Sequence, residues 1–113
     1  MAKMRYMLLI YGCNRDDLQS YEQVNAYVKE MMAQGVLQAA DPLHLPDTAT
    51  TVRVREDETL ITDGPFAETH EALGGYFILT CADLDEAISW AAKCPMARQG
   101  SVEIRPILEV AFG

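Results

Sequence analysis

Two stretches, MRYMLLIY (residues 4–11) and GYFILT (residues 75–80), are apolar at both alternate positions. Each is too short for a helix, so each reads as a strand that needs an apolar neighbour on both of its faces. The remainder of the chain provides only two helices. In residues 17–34, Leu18, Tyr21, Val24, Val28, Met31 and Met32 recur at three- and four-residue steps, with Asn14 or Asp16 as a cap and Gly35 as a stop. In DLDEAISWAAKCP, Asp83 is placed as a cap, Glu86 takes the box position and Pro95 lies beyond the end. Two helices of this length, each with one apolar stripe, can cover one face of a sheet. A second copy of the chain is the economical cover for the other, and a homodimer packed sheet against sheet is expected.

The remaining segments fill in the architecture. GVLQAADPLHLP begins as a short strand and is broken at Pro42 and Pro46, which places His44 in a loop. TTVRVRE alternates Val52 and Val54 with Thr51, Arg53 and Arg55, the period of a half-buried strand, and TLIT returns antiparallel to it after Glu56-Asp57-Glu58. SVEIRPILEV is a last strand, bent or at an edge because of Pro106. Strand, helix, strand, hairpin, strand, helix, strand is an α+β order with an antiparallel sheet, and at 113 residues it fits one domain.

Charge narrows the partners. Seventeen acidic against nine basic side chains give a net charge of −8, which repels phosphate backbones and anionic lipid surfaces, so neither nucleic acid nor membrane is expected as a partner. MLLIY is far short of the ~20 apolar residues of a membrane span and of a signal-peptide core, so a cytoplasmic protein is expected. Cys13, Cys81 and Cys94 form no C-x-x-C pair and read as reduced thiols. Cys13 has no adjacent cation to activate it.

The chemistry-bearing residues cluster in LITDGPFAETHEALGGYFIL. Asp63-Gly64-Pro65 is a turn tripeptide in which the aspartate can accept from backbone amides ahead, so its architectural reading stands before a role as general base. Two helical turns over residues 66–73 would set Phe66, His70 and Leu73 on one side and Glu68 and Glu71 on another, turning His70 inward. A histidine on an apolar side is more often a satisfied core group, but its near-neutral titration makes His70 the acid–base candidate. His44 and His70 share no ligand spacing, so no metal is expected, and Gly74-Gly75 lacks any nucleotide-binding pattern, so no cofactor is expected. Arg53, Arg55 and Arg105 default to solvated strand charges. Any that entered a dimer cavity would suit a carboxylate or phenolate.

MRYMLLIYG, TVRVRE, TDGPFAET, LGGYFIL, DLDEAISWAAKCP and GSVEIRP, taken in order, resemble the YCII-related family, in the branch named for its Asp-Gly-Pro-Phe motif. The resemblance spans nearly the whole chain and implies a ferredoxin-like α+β subunit forming a dimeric α+β barrel. The wider family includes an enzyme that dechlorinates a chlorinated hydroxyquinol, and relatives of this branch often occur beside extracytoplasmic-function sigma factors, which makes such a factor a candidate partner. Asp63, Gly64, Pro65 and Phe66 match the motif directly. The histidine that other members carry on the first helix has no counterpart here, His70 stands where lysine is usual, and Ala40-Asp41 stands where Gly-Glu is usual, with Asp41 keeping the acid.

Two functions stay open. In one, the dimer cavity binds a small aromatic or carboxylated molecule, with Arg53, Arg105 and Phe66 as binding residues and Asp63, Asp41 or His70 as acid–base groups for elimination or isomerisation. In the other, the same cavity serves a non-catalytic sensor or interaction module.

Overall fold

A computed structural model describes residues 3–12, 18–67 and 71–111. In chain order the elements are β1 (Met4–Tyr11), α1 (Leu18–Ala33), β2 (Leu37–Pro42), a 3-10 turn at Pro46–Thr48, β3 (Thr50–Arg55), β4 (Glu58–Asp63), β5 (Leu73–Cys81), α2 (Leu84–Lys93), a second 3-10 turn at Pro95–Arg98 and β6 (Ser101–Pro106). Four strands form one antiparallel sheet in the order β2-β5-β1-β6. With two helices crossing between its strands, that order is the ferredoxin-like arrangement of an α+β fold. β3 and β4 pair only with each other, as a separate two-stranded sheet.

The two both-parity strands sit at the centre of the large sheet, where β1 and β5 pair with each other and with one flanking strand each. Period two then divides their side chains. Tyr6, Leu8 and Ile10 of β1 join Phe77, Leu79 and Cys81 of β5 on the face beneath the helices, where all six are buried. Met7, Leu9, Tyr11, Tyr76 and Ile78 occupy the opposite face and are half-buried by their neighbours alone.

The helices close the first face. α1 turns Tyr27 and Met31 into the core, with Val24 and Val28 half-buried beside them, whereas Tyr21 and Met32 are exposed. Tyr27 is thus an inward residue that the apolar count along the helix passed over, because its hydroxyl marks it as amphipathic. Its ring meets Phe77 edge-on at 5.6 Å and lies 6.2 Å from Trp90, and its hydroxyl donates to the Trp90 carbonyl at 2.6 Å. That carbonyl is in the last turn of α2, where the helix itself supplies no donor. α1 stops at Gly35 as expected, with the Val36 N–H donating to the Met31 carbonyl at 3.0 Å. α2 opens with the expected cap: Asp83 accepts from the Glu86 N–H at 2.9 Å, and the Glu86 carboxylate reaches back to the Ala82 N–H at 2.7 Å.

The hairpin pairs in the expected register, with Val52 opposite Ile61 and Arg55 opposite Glu58. Its tip places Glu56 and Asp57 at φ values of 51° and 64°, the left-handed pair that a two-residue turn between twisted strands requires. Of the residues for which two helical turns were considered, Phe66 lies in an exposed bend and Leu73 already belongs to β5. His70 lies outside the described residues, as does Cys13. No described helix is long and apolar enough to cross a membrane.

Replacing the α2 cap, Asp83→Ala, is expected to cost about 1 kcal/mol, read as a fall in Tm of roughly 4 °C. An unchanged melting curve would show that the cap contributes nothing. Alkali gives a second test. Burial pushes the Cys81 thiol up to about 11 from its ordinary 9.0, with Glu86 and Asp83 adding to the effect. Burial likewise raises the Tyr27 phenol above its ordinary 10.0, with smaller contributions from Cys94, Cys81 and Glu30. Both groups hold their protons more tightly in the folded chain, so the stability they contribute is complete below pH 9 and is lost as pH rises through 11 and beyond. Chemical denaturation between pH 8 and pH 11 should show stability declining, and Cys81→Ala should flatten the lower part of that decline.

Candidate functional site

β2 and β5 meet closely at one end of the sheet. Gly75 is buried opposite Pro42, and a Cβ on it would lie 2.9 Å from the Asp41 carbonyl oxygen and 3.2 Å from the Pro42 Cα. Only glycine allows the strands that approach. One residue earlier the Gly74 carbonyl accepts from the Leu43 N–H at 2.9 Å, which carries the pairing past Pro42 and sets the direction of the loop holding His44. The glycine pair therefore shapes a wall, in keeping with its reading as a strand start.

Beside this wall, between α1, the strand ends and the Pro95–Arg98 turn, lies a cleft of about 540 Å³. Ile10, Ala40 and Phe77 line it from the sheet, Val24 and Val28 from α1, and Met96 from the turn. The apolar lining is interrupted by Asp41, His44 and Tyr76 on one side and Asn25 and Gln99 on others. Such a concave, mainly apolar space with a few polar groups has the size and character of a small-molecule site.

Asp41 and Tyr76 are cross-strand partners. The Tyr76 hydroxyl donates to Asp41 Oδ2 at 2.7 Å. That hydrogen bond, then desolvation and the carboxylate's charge, raise the phenol above its ordinary value, so Tyr76 remains a protonated donor at neutral pH. Its donation fixes the carboxylate's orientation, and the second oxygen, Oδ1, receives no hydrogen bond from any described residue. Tyr76 is also the cross-strand partner of Leu9, so this oriented carboxylate belongs to the uncovered face of the sheet, while the slot opens on the face beneath the helices.

The other candidate residues lie elsewhere. Asp63 ends β4, opposite Thr50, and is exposed. The turn after it is held by other groups: Gly64, at φ 108°, donates its N–H to the Ala49 carbonyl at 2.7 Å, and its own carbonyl accepts from the Thr51 hydroxyl at 2.8 Å. Among the described residues the Asp63 carboxylate accepts no hydrogen bond, in contrast to the turn bonds expected of it. Phe66 is 72% exposed and carries the Arg53 guanidinium 4.7 Å above its ring. Arg105 projects from the uncovered face of the large sheet, 3.6 Å from Glu103. The cleft's edge thus includes Asp41, His44 and Tyr76, with the Asp41–Tyr76 pair on the other face of the sheet, while Asp63, Arg53 and Phe66 lie at the hairpin. The described residues contain no group of three His, Cys, Asp or Glu side chains placed to hold a metal ion.

A chain of this kind, a ferredoxin-like α+β layer with a cleft at one end of its sheet, is the class that fold and geometry define. Residues 4–111 match the YCII-related domain, and the chain belongs to that family. It is similar to an uncharacterized protein of Rhizobium meliloti (strain 1021), 35% identical over 114 residues that cover 92% of each chain.

Two substitutions separate the groups at the turn. Thr51→Val removes the donor to the Gly64 carbonyl and is expected to cost about 1 kcal/mol, while Asp63→Ala should change stability by less than about 0.5 kcal/mol. Urea denaturation of both variants checks the order, and a larger loss for Asp63→Ala would restore the carboxylate to the turn.

Proposed function

We propose that the protein binds a small, largely apolar or aromatic molecule in the cleft between α1 and the β2–β5 end of the sheet, and that it acts as a homodimer in the cytoplasm. The cleft itself carries this reading, because it is a concave, mainly apolar slot of about 540 Å³ with a few polar residues at its edge. The composition of the slot narrows the ligand. Its described lining includes neither lysine nor arginine, so a neutral molecule fits better than a carboxylated one. The ring of such a ligand would lie against Val24, Val28 and Phe77. Elimination or isomerisation chemistry would draw on His44 at the cleft wall as its acid–base group. Asp63 lies outside this lining.

Ligand-observed NMR against a panel of phenols, neutral aromatics and benzoates tests the reading. Phenols and neutral aromatics should bind in preference to benzoates, and Val28→Trp should abolish that binding by filling the slot, whereas Asp41→Asn, on the other face of the sheet, should leave it unchanged. Hits indifferent to Val28→Trp would place binding elsewhere and overturn the proposal.

A further inference from the structure

The β3–β4 hairpin has one apolar face that no described residue of its own chain covers. Register puts Val52 opposite Ile61 on that face with Val54 beside them, and the three are 59%, 68% and 57% exposed. The reverse face carries Arg53, Arg55, Glu58 and Leu60. Alternation of this kind belongs to a strand pair that is half-buried, and an isolated two-stranded hairpin is at best marginally stable in water.

The dimensions of the chain agree. Its radius of gyration is 16.2 Å, against about 13 Å for a compact chain of this length. Its surface is 8383 Å², against about 6,200 Å² for a compact monomer of 12.6 kDa. The excess, roughly 2,000 Å², is what each partner of an obligate dimer buries. A receiving surface is present on the same molecule: the uncovered face of β1 and β5 presents Met7, Leu9 and Ile78 within a polar rim that includes the Arg5–Glu109 and Arg105–Glu103 pairs.

We propose that the hairpin is an exchanged arm, packing its Val52, Val54 and Ile61 face against a second copy of this chain while the partner's arm packs reciprocally. The inference rests on the homodimer put forward above and specifies how the dimer is held. The Asp-Gly-Pro-Phe motif then has a mechanical use, because the Gly64 bonds to Ala49 and Thr51 lock the two strands together at the root of the arm. A twofold axis makes such a contact self-complementary, each copy giving an arm and receiving one.

Sedimentation equilibrium on the full chain, from nanomolar to tens of micromolar, tests this. The native protein should be a dimer, and the double variant Val52→Asp, Ile61→Asp should raise the dimer dissociation constant at least 100-fold with helical circular dichroism and Trp90 fluorescence unchanged. The milder pair Val52→Thr, Ile61→Thr should weaken the dimer in the same direction, so a folding failure of the first pair would not end the test. Leu60→Asp, on the reverse face, should leave association unchanged. A native monomer would overturn both the dimer and the arm. A dimer that survives both hairpin pairs yet is broken by Ile78→Glu would overturn the arm alone and leave the sheet-to-sheet dimer standing, and equal weakening by Leu60→Asp would also overturn the arm.

Discussion

Tyr27 is the point on which the two helices and the sheet depend. From the middle of α1 it sets its ring edge against Phe77 of β5 and its hydroxyl on the Trp90 carbonyl of α2, so a single side chain touches all three parts of the layer. A buried phenol without an acceptor would cost about 1–3 kcal/mol, and here the acceptor is a carbonyl that its own helix leaves unpaired. Two polar needs are met by one bond, and the aromatic edge adds packing around it. The position of α1 follows from that contact, and with it the height of the cleft, whose upper wall is Val24, one turn before Tyr27, and Val28, next to it in the helix.

The cleft exists because the sheet end under α1 carries so little side chain. Gly75 has none, and Ala40 has one methyl group, so Ile10 and Phe77 form a floor with open space above it. Glycine is required at 75 for another reason, the approach of the Asp41 carbonyl, and the same approach brings Asp41 and Tyr76 into register. Close backbone packing and an oriented carboxylate are therefore two effects of one local constraint.

The parts of this structure that the sequence displays are those governed by near neighbours in the chain. The Asp83–Glu86 cap, the stop at Gly35 and the return of β4 along β3 each depend on residues a few positions apart, and each has the expected form. What was not legible depends on register between distant segments. Asp41 and Tyr76 are 35 positions apart and meet only because β2 pairs with β5 in one alignment, and the entry of His44 into the cleft wall follows from a bond between Leu43 and Gly74. Tyr27 escaped for a different reason: a residue both apolar and polar is invisible to a count of apolar positions. At the turn, Asp63 looked like the bonding group because aspartates often are, whereas the bonds come from a backbone amide and a threonine two residues after Ala49.

The hairpin and the cleft belong to one insertion between β2 and β5. Chain leaving β2 at Pro42 passes His44 along the cleft wall, makes the Pro46–Thr48 turn and becomes the first strand of the arm at Thr50. The arm closes at Gly64, whose bond to Ala49 ties its exit to its entrance, so the root is fixed by hydrogen bonds that do not involve the large sheet. A hairpin tied only at its root can keep its own twist and direction, independent of the sheet beside it. That independence explains the pattern of exposure: the large sheet hides one apolar face under the helices, while the arm, built from equally apolar residues, hides none within its own chain. Valine and isoleucine on one side of such an arm are justified by burial alone, since solvated strands gain little from them.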